Sequence, residues 1–291
     1  MKNNTWLLDF KSNTHSQAGE DGIIEKILEI LPERDNWCVE FGAWDGLTDS
    51  NSRNLIVKHG YSAVLIEADK QKFQELTKNY ADNPKINTVR ALVGFQKEDG
   101  LDQILAKTAI PKNFDFVSID IDGNDYHVWK TIQDYQPKVV CIEYNPSIPT
   151  EIEFVQSPDP DITQGNSLRS LINLGKEKGY ELVCALQFNA LFVQAEYFPL
   201  FEITDNRPEV LRTDLARVTY IFSTYDGVIH LRGFQGIQWH KLRMNPESMQ
   251  QIPPFLRKFP PNYAPWQKLL FQLFKLWTGL RGRNIGKKSK K

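Results

Sequence analysis

Short apolar runs alternate with segments of helical periodicity along the first two thirds of the chain. Residues 23, 24, 27, 28, 30 and 31 are apolar, a spacing typical of an amphipathic helix. Apolar, β-branched or aromatic runs then predict strands at 37–41, 61–66, 86–94, 114–120, 138–144, 180–187 and 190–196. Helical segments separate the first six of these strands. This alternation predicts an α/β fold, with a mostly parallel sheet, helices on both faces and a closing hairpin.

The pattern changes near residue 198. Residues 199–262 are rich in Pro, Asn and Arg and contain one good strand candidate, ARVTYIFST. We therefore expect three parts: a first domain at 1–197, an irregular extension or lid at 198–262, and a tail at 263–291.

The tail combines an apolar helical stripe with a basic end. The stripe consists of Trp266, Leu269, Leu270, Leu273, Phe274, Trp277 and Leu280, and the basic end of Arg281, Arg283, Lys287, Lys288, Lys290 and Lys291. Such a segment is typical of a helix that lies on a membrane surface. A helix docked on the protein with a solvated tail explains the same pattern. Residues 264–291 are thus a candidate for peripheral membrane contact.

Composition narrows the function classes. The 291 residues carry a formal net charge of −1, so no overall field recruits nucleic acid, and we expect no nucleic-acid partner. The three cysteines lie in separate apolar runs, which favours buried free thiols and a reducing compartment. The N-terminus lacks the apolar core of a signal peptide, and no run is long enough to span a membrane. These features predict a cytoplasmic protein, at the inner membrane surface if the tail binds lipid.

The most informative motif is WCVEFGAWDG, at residues 37–46. Here Glu40, Gly42, Asp45 and Gly46 follow a probable strand, and open α/β sheets bind ligands at the carboxyl ends of their strands. Glycines let the backbone approach a ligand, and carboxylates accept hydrogen bonds from hydroxyl or amino groups. Because phosphate sites prefer N–H groups and cations, the acids favour a nucleoside without phosphates.

Three further predicted strands end in polar side chains. Glu67 lies about 20 residues beyond the glycine turn, the usual position of a carboxylate that binds ribose hydroxyls. Asp120 and Asp122 follow the next such strand, and Glu143 and Asn145 the last. The carboxyl ends of parallel strands meet at one edge, so these residues predict a nucleotide-type site there.

Taken together, these motifs resemble the class I S-adenosylmethionine-dependent methyltransferases. Within this class the chain is most similar to the FkbM-like group. The similarity lies in the order of three motifs: ExGxxxG, an acid after the second strand, and D-x-D-G after the fourth. The SQAGEDGIIEKIL segment at 16–28 also resembles that group. The resemblance covers residues 16–194. It implies a Rossmann-like, seven-stranded, mostly parallel sheet with an antiparallel last strand, S-adenosylmethionine as cofactor, and O-methylation of sugars or other hydroxylated metabolites.

The resemblance also implies roles for individual residues. The glycine-turn residues Glu40, Gly42, Asp45 and Gly46 would line the methionine and adenosine moieties, and Glu67 would bind the ribose. Asp120 would lie near the methionine amine, whereas Gln17 and Asp21 would close over the cofactor. For each carboxylate, a purely structural role is the alternative to ligand binding, because acids at such positions also cap turns and helices.

The acceptor side of the site is less determined. Similar metal-dependent sugar O-methyltransferases carry a D-G-D-x-Y stretch, and here Asn124, which cannot accept a proton, replaces its second Asp. The candidate catalytic residues are therefore Asp122, Asp125 and His127. Asp122 could instead stabilise a turn or cap a helix, and His127 could be an ordinary surface residue.

Oxygen ligands at Asp122, Glu143 and Asn145 would suit Mg²⁺, which would lower the pKa of an acceptor hydroxyl. We therefore expect an O-methyltransferase acting on a small-molecule or glycan acceptor. A non-catalytic binding or scaffold protein at a membrane is the alternative. An NAD-dependent dehydrogenase is disfavoured because the first turn lacks a G-x-G-x-x-G run.

Overall fold

Strands and helices alternate through most of the computed structural model, which describes residues 2–279. The strands of the large sheet are β1 Trp37–Phe41, β2 Ser62–Glu67, β3 Ile86–Arg90, β4 Phe116–Ile119, β5 Val139–Glu143, β6 Tyr180–Ala185 and β7 Asn189–Gln194. The helices among them are α1 Glu20–Ile30, α2 Arg53–His59, α3 Lys70–Asn79, α4 Leu101–Leu105, α5 Asp125–Thr131 and α6 Leu168–Glu177. A short helix, α7 Pro208–Leu211, follows the sheet.

The sheet has seven strands in the order β3-β2-β1-β4-β5-β7-β6. The first five are parallel to one another, whereas β7 runs antiparallel between β5 and β6. The fold is therefore Rossmann-like, and the prediction of a mostly parallel sheet with an antiparallel last strand is confirmed. A turn at residues 186–188 joins β6 to β7, as the closing hairpin in the sequence indicated.

The central strands are covered on both faces. All side chains of β4 are buried, and β1, β2 and β5 each expose only one residue partly. Parallel strands buried on both faces read as continuous apolar runs, which is why the sequence pattern identified them. All three cysteines are free and buried, as predicted.

The chain divides into two compact units, the first ending at Leu215 and the second beginning at Ala216. Residues 198–215, which the sequence assigned to the extension, thus belong to the first unit. They include α7 and a bridge between Arg212 and Ala185 of β6.

In its described part, residues 216–279, the second unit contains two small hairpins and one longer helix. Its elements are β8 Thr219–Ser223, β9 Ile229–Gly233, β10 Gly236–Ile237, β11 Leu242–Arg243 and α8 Pro265–Trp277. β8 corresponds to the strand predicted at ARVTYIFST, and α8 to the helix predicted in the tail. The tail positions from Leu280 onward lie outside the described residues. Within residues 2–279, no helix has both the length and the apolar character that crossing a bilayer requires.

Candidate active site

Four neighbouring strands end together at one edge of the sheet. Phe41, the last residue of β1, pairs with Ile66 of β2 and with Ile119 of β4, and Ile119 pairs with Ile142 of β5. The segments that follow these strands therefore begin side by side. This register places the glycine turn, Glu67, Asp120 and Glu143 along a single rim, as the strand pattern indicated.

The glycine turn packs so tightly that side chains are excluded. Gly42 has φ +72°, and a Cβ there would lie 2.1 Å from the carbonyl oxygen of Asp120. At Gly46, with φ +71°, a Cβ would lie 2.5 Å from the ring of Tyr80. Both positions need glycine for conformation and for space. Gly42 is itself exposed, so the backbone of the turn is accessible to a ligand.

Glu40 is buried and fully engaged by the segment after the turn. Its Oε1 accepts the backbone N–H of Asn51 at 2.8 Å, and its Oε2 accepts the hydroxyls of Ser50 and Ser52, each at 2.6 Å. Burial raises its pKa, and the hydrogen bonds from these partners act in the opposite direction. Glu40 therefore shapes the wall of the site, and its contact with a ligand stays a prediction.

Asp45 and Glu67 both order backbone around the turn. Asp45 accepts the N–H groups of Leu47 and Thr48, each at 2.8 Å. Although burial acts against ionisation, these bonds lower the Asp45 pKa. Glu67 accepts the N–H of Trp44 at 2.9 Å and that of Asp69 at 2.7 Å. Its carboxylate thereby ties the glycine turn to the end of β2, where a ribose contact was predicted.

The N-terminal box lies at the same rim. Oε1 of Glu20 accepts the side-chain amide of Asn189 at 3.0 Å, and Asn189 pairs with Glu143 at the end of β5. Asp21 is buried, and its Oδ2 accepts three backbone N–H groups, from residues 14–16. Its Oδ1 is buried without a partner among the described residues. Gln17 is exposed and accessible to a ligand.

Three carboxyl groups converge above β4 and β5. Oxygen atoms of Asp120, Asp122 and Glu143 all lie within 4.8 Å of one another. Burial, and then the charges of the neighbouring acids, raise the pKa values of Asp120 and Glu143 well above the ordinary range. Asp122 is exposed and has φ +59°, an uncommon conformation for a residue with a side chain. Metal binding at this rim stays a prediction.

Two of the three candidate catalytic residues are engaged elsewhere. Asp125 is buried, and its two oxygens accept the N–H groups of Ile121 and Gly123, each at 2.9 Å. Burial outweighs these bonds and raises its pKa to about 6. His127 Nε2 lies 2.8 Å from the carbonyl oxygen of Gln156, and since a carbonyl only accepts, Nε2 carries the proton. Of the three candidate catalytic residues, Asp122 alone has an exposed carboxylate at the rim.

Asn145 and Asn124 hold the loop that follows β5. The Oδ1 of Asn145 accepts both the backbone N–H and the hydroxyl of Ser147, at 2.9 and 2.6 Å. Its amide donates to the carbonyl of Gln164. Both polar atoms of the Asn145 side chain are thus engaged within this loop, and its role as a metal ligand stays a prediction. Asn124 donates to the carbonyl of Asp159 at 3.0 Å.

Sequence reasoning missed the segment Ser50, Asn51 and Ser52. Besides donating its backbone N–H to Glu40, Asn51 donates its side-chain amide to the hydroxyl of Ser118 on β4 at 3.0 Å. All three residues are buried. A run of small polar residues shortly after the glycine turn, between the apolar residues of β1 and those of α2, was the available signal.

The family comparison agrees with this geometry. The family model described as the methyltransferase FkbM domain matches residues 100–182. This segment contains β4, α5, β5 and α6, and with them the acid cluster of Asp120, Asp122 and Glu143. No curated protein matches the chain.

Several solved structures are distantly similar. The CMeT domain of the citrinin polyketide synthase is 13% identical, with 60% of this chain and 51% of that chain covered and a TM-score of 0.42. The chain thus spans about half the length of that protein. A SAM-dependent methyltransferase from Aquifex aeolicus is 11% identical, with 67% and 100% covered and a TM-score of 0.38. The N-terminal domain of EvdMO1 with SAH bound is 12% identical, with 63% and 84% covered and a TM-score of 0.42.

The match at residues 100–182 confirms the resemblance that the motifs indicated: this segment is similar to the methyltransferase FkbM domain, and it lies in a Rossmann-like, seven-stranded sheet.

Proposed function

We propose that this protein transfers a methyl group from S-adenosylmethionine to a hydroxyl of a sugar, glycan or other small hydroxylated metabolite. The observation that carries the proposal is the acid-rich rim beside a glycine turn. Asp120, Asp122 and Glu143 gather there, and Gly42 leaves the adjacent backbone open. S-adenosylmethionine bears a sulfonium and an ammonium group, and such a rim favours both over a phosphate-bearing nucleotide.

The residues present fit this cofactor. The turn admits no side chain at Gly42, so a ligand can approach its backbone closely. Glu67 lies at the end of β2, where a second lone pair on either oxygen remains for a ribose hydroxyl. When bound, the cofactor would supply an electrophilic methyl group. The protein would bind it, orient the acceptor and receive the proton of the acceptor hydroxyl.

Asp122 is our choice for the proton acceptor. Its carboxylate is exposed at the rim, whereas those of Asp125 and Glu40 are buried and occupied by N–H and hydroxyl donors. Its left-handed backbone conformation is the kind of local strain that clusters at functional sites. A base at hydrogen-bond distance from the hydroxyl contributes roughly 10²–10⁴-fold to the rate.

A divalent cation is a further element of the proposal. Asp120, Asp122 and Glu143 would supply its oxygen ligands, because these are the groups whose atoms lie within 4.8 Å of one another. Such an ion would polarise the acceptor hydroxyl. If turnover is unchanged after EDTA treatment, the ion is not needed and Asp122 acts alone.

Calorimetry with S-adenosylhomocysteine and with NAD tests the cofactor. We expect the homocysteine compound to bind and NAD to fail. Glu67→Ala should weaken binding at least about tenfold, because a charge-assisted hydrogen bond is lost. Glu75→Ala, which removes an exposed acid from α3, is the matched control and should bind like the parent. Binding of NAD alone would refute the methyltransferase assignment.

Transfer of labelled methyl groups to a panel of hydroxylated acceptors tests the reaction. Asp122→Asn should lower kcat at least about 100-fold while leaving the affinity for S-adenosylhomocysteine within about threefold. If the compound binds but no acceptor is methylated, the non-catalytic binding protein becomes the better description.

A further inference from the structure

Helix α8 presents one continuous apolar face that no described residue of its own unit covers. At 100° per residue, its large exposed side chains fall within an arc of about 120°. They are Trp266, Leu269, Leu270, Leu273, Leu276 and Trp277. Their exposed fractions range from 38% for Leu270 to 85% for Trp277. The sequence stripe had included Phe274 instead of Leu276, and the structure makes Phe274 partly buried.

The opposite side of α8 attaches the helix to its own unit. The side-chain amide of Gln267, which is buried, donates to the carbonyl of Phe255 at 2.9 Å, and its oxygen accepts the N–H of Ala264. The ring of Phe271 packs edge-on against Tyr263, with centroids 5.4 Å apart. Since these contacts fix the inner side, the apolar face is presented outward.

The charge of the C-terminal sequence indicates the kind of partner. After Glu247 the sequence contains ten Lys and Arg residues and no Asp or Glu. Two of them, Lys268 and Lys275, lie on α8 itself. A partner that is apolar beneath and negatively charged at its surface complements this arrangement, and an anionic lipid bilayer has both properties.

We propose that α8 docks this protein on an anionic membrane surface, lying in the boundary between headgroups and acyl chains. The helix has 13 residues, about 20 Å at the usual rise per residue, which is too short to cross a bilayer. Tryptophan side chains at Trp266 and Trp277 suit this boundary, because an indole ring is apolar with one polar N–H group.

A second copy of the chain is the less favourable occupant. A two-fold dimer pairs the same surface with itself, so it would bring together two copies of this strongly basic C-terminal sequence. Such an interface has no acid after Glu247 to neutralise them. Lipid phosphates supply the missing negative charge.

Vesicle co-sedimentation tests the proposal, using the full chain with phosphatidylcholine alone or with phosphatidylglycerol added. We expect binding to the anionic vesicles, weakened by high salt. Leu273→Glu should lower the partition coefficient at least about tenfold, because it puts a charge on the apolar face. Gln272→Glu is the matched control: it adds the same charge one residue away, on the polar side, and should change binding less than about threefold.

A fluorescent label gives a readout that does not depend on these variants. The native cysteines are all buried, so a polarity-sensitive dye can be attached at Leu273→Cys or at Gln272→Cys. Anionic vesicles should shift the emission of the dye at 273 to the blue more strongly than that of the dye at 272.

Equal vesicle binding by Leu273→Glu and Gln272→Glu would overturn the proposal. So would a concentration-dependent dimer in sedimentation velocity that Leu273→Glu abolishes, together with no vesicle binding by the parent. Neither result touches the cofactor assignment, because both are read without methyl transfer.

Discussion

The carboxylate of Glu40 accepts the backbone N–H of Asn51 at 2.8 Å, and this bond fixes the segment that reaches across the sheet. The other Glu40 oxygen accepts two serine hydroxyls, and the Asn51 amide reaches Ser118 on β4. A buried acid near the end of β1 thus holds in place the segment that forms one wall of the site.

This arrangement predicts a pH-dependent effect of Glu40→Gln. Burial raises the Glu40 pKa in the folded protein, so the native state retains a proton that the unfolded chain releases. The parent therefore loses stability as pH rises from the ordinary glutamate pKa through the folded one, with a slope of at most about 1.4 kcal/mol per pH unit. The Gln variant lacks this loss, so its stability relative to the parent should rise with pH.

Urea unfolding between pH 4.5 and 7.5 measures the difference. Glutamine can keep the pattern, since its oxygen accepts the Asn51 N–H and its amide donates to the serine hydroxyls. Asp69→Asn is the control. Asp69 has a lowered pKa, chiefly because it accepts the Lys72 N–H, so its contribution changes only at lower pH. A stability difference for Glu40→Gln that is flat across this range would contradict the argument.

Gly42→Ala should destabilise the protein severely and abolish cofactor binding. The new Cβ would lie 2.1 Å from the carbonyl oxygen of Asp120, and neither backbone can yield without opening the rim. We expect a loss of more than about 3 kcal/mol in unfolding free energy, in the range of strong overpacking.

Gly179→Ala separates the clash from the backbone conformation. Gly179 has φ +81°, close to that of Gly42, but a Cβ there meets nothing within 4 Å. Its substitution should cost about 1–2 kcal/mol, the conformational penalty alone. Chemical unfolding of both variants checks the comparison. Equal losses would mean that crowding at Asp120 is unimportant.

His127→Phe should loosen a loop and leave the chemistry intact. The ring of His127 lies tilted against Phe95 and edge-on to Tyr126, and Phe preserves these contacts while removing the bond to the Gln156 carbonyl. Hydrogen exchange in residues 151–166 should accelerate, and KM for the acceptor should rise severalfold. The pH profile of kcat should keep its shape.

A catalytic His127 would behave differently. Removing a general base lowers kcat by roughly 10²–10⁴-fold and deletes one limb of the pH profile. Asp122→Asn is expected to show that behaviour. If His127→Phe does so instead, the proton acceptor has been assigned to the wrong residue.

The fold could be predicted because its central strands are buried on both faces. Val39, Val64, Val117 and Val140 lie in apolar runs whose period and length distinguish them from helices, and parallel strands must end at a common edge. The position of the site followed from that edge. The acids at the carboxyl ends of β1, β2, β4 and β5 could be identified in the sequence for the same reason.

The partners of those acids could not be predicted. Glu40 is engaged by residues 50–52, Asp125 by Ile121 and Gly123, and Asn145 by Ser147 and Gln164. Whether a carboxylate faces a ligand or its own backbone depends on turn geometry, and spacing along the chain does not report it. The apolar stripe of α8 was visible, yet only packing revealed that Phe274 turns inward and Leu276 outward.

The other end of the sheet is held by an ion pair that the site does not use. Asp115, which precedes β4, and Lys138, which precedes β5, lie 2.8 Å apart with side chains 0% and 4% exposed. Asp115 also accepts the N–H groups of Asp35 and Asn36. Burial disfavours the charge on Lys138, but its bonds to Asp115 and Asp35 outweigh that effect and raise its pKa.

Lys138→Met should therefore cost about 3–5 kcal/mol of unfolding free energy, since it leaves the Asp115 charge buried without its cation. Lys26→Met breaks the more exposed pair with Glu29 and should cost less than about 0.5 kcal/mol. Adding Asp115→Asn to Lys138→Met should recover part of the loss, because the uncompensated charge is removed. Thermal or urea unfolding of the four proteins decides this, and a Lys138→Met loss no larger than that of Lys26→Met would show the pair to be dispensable.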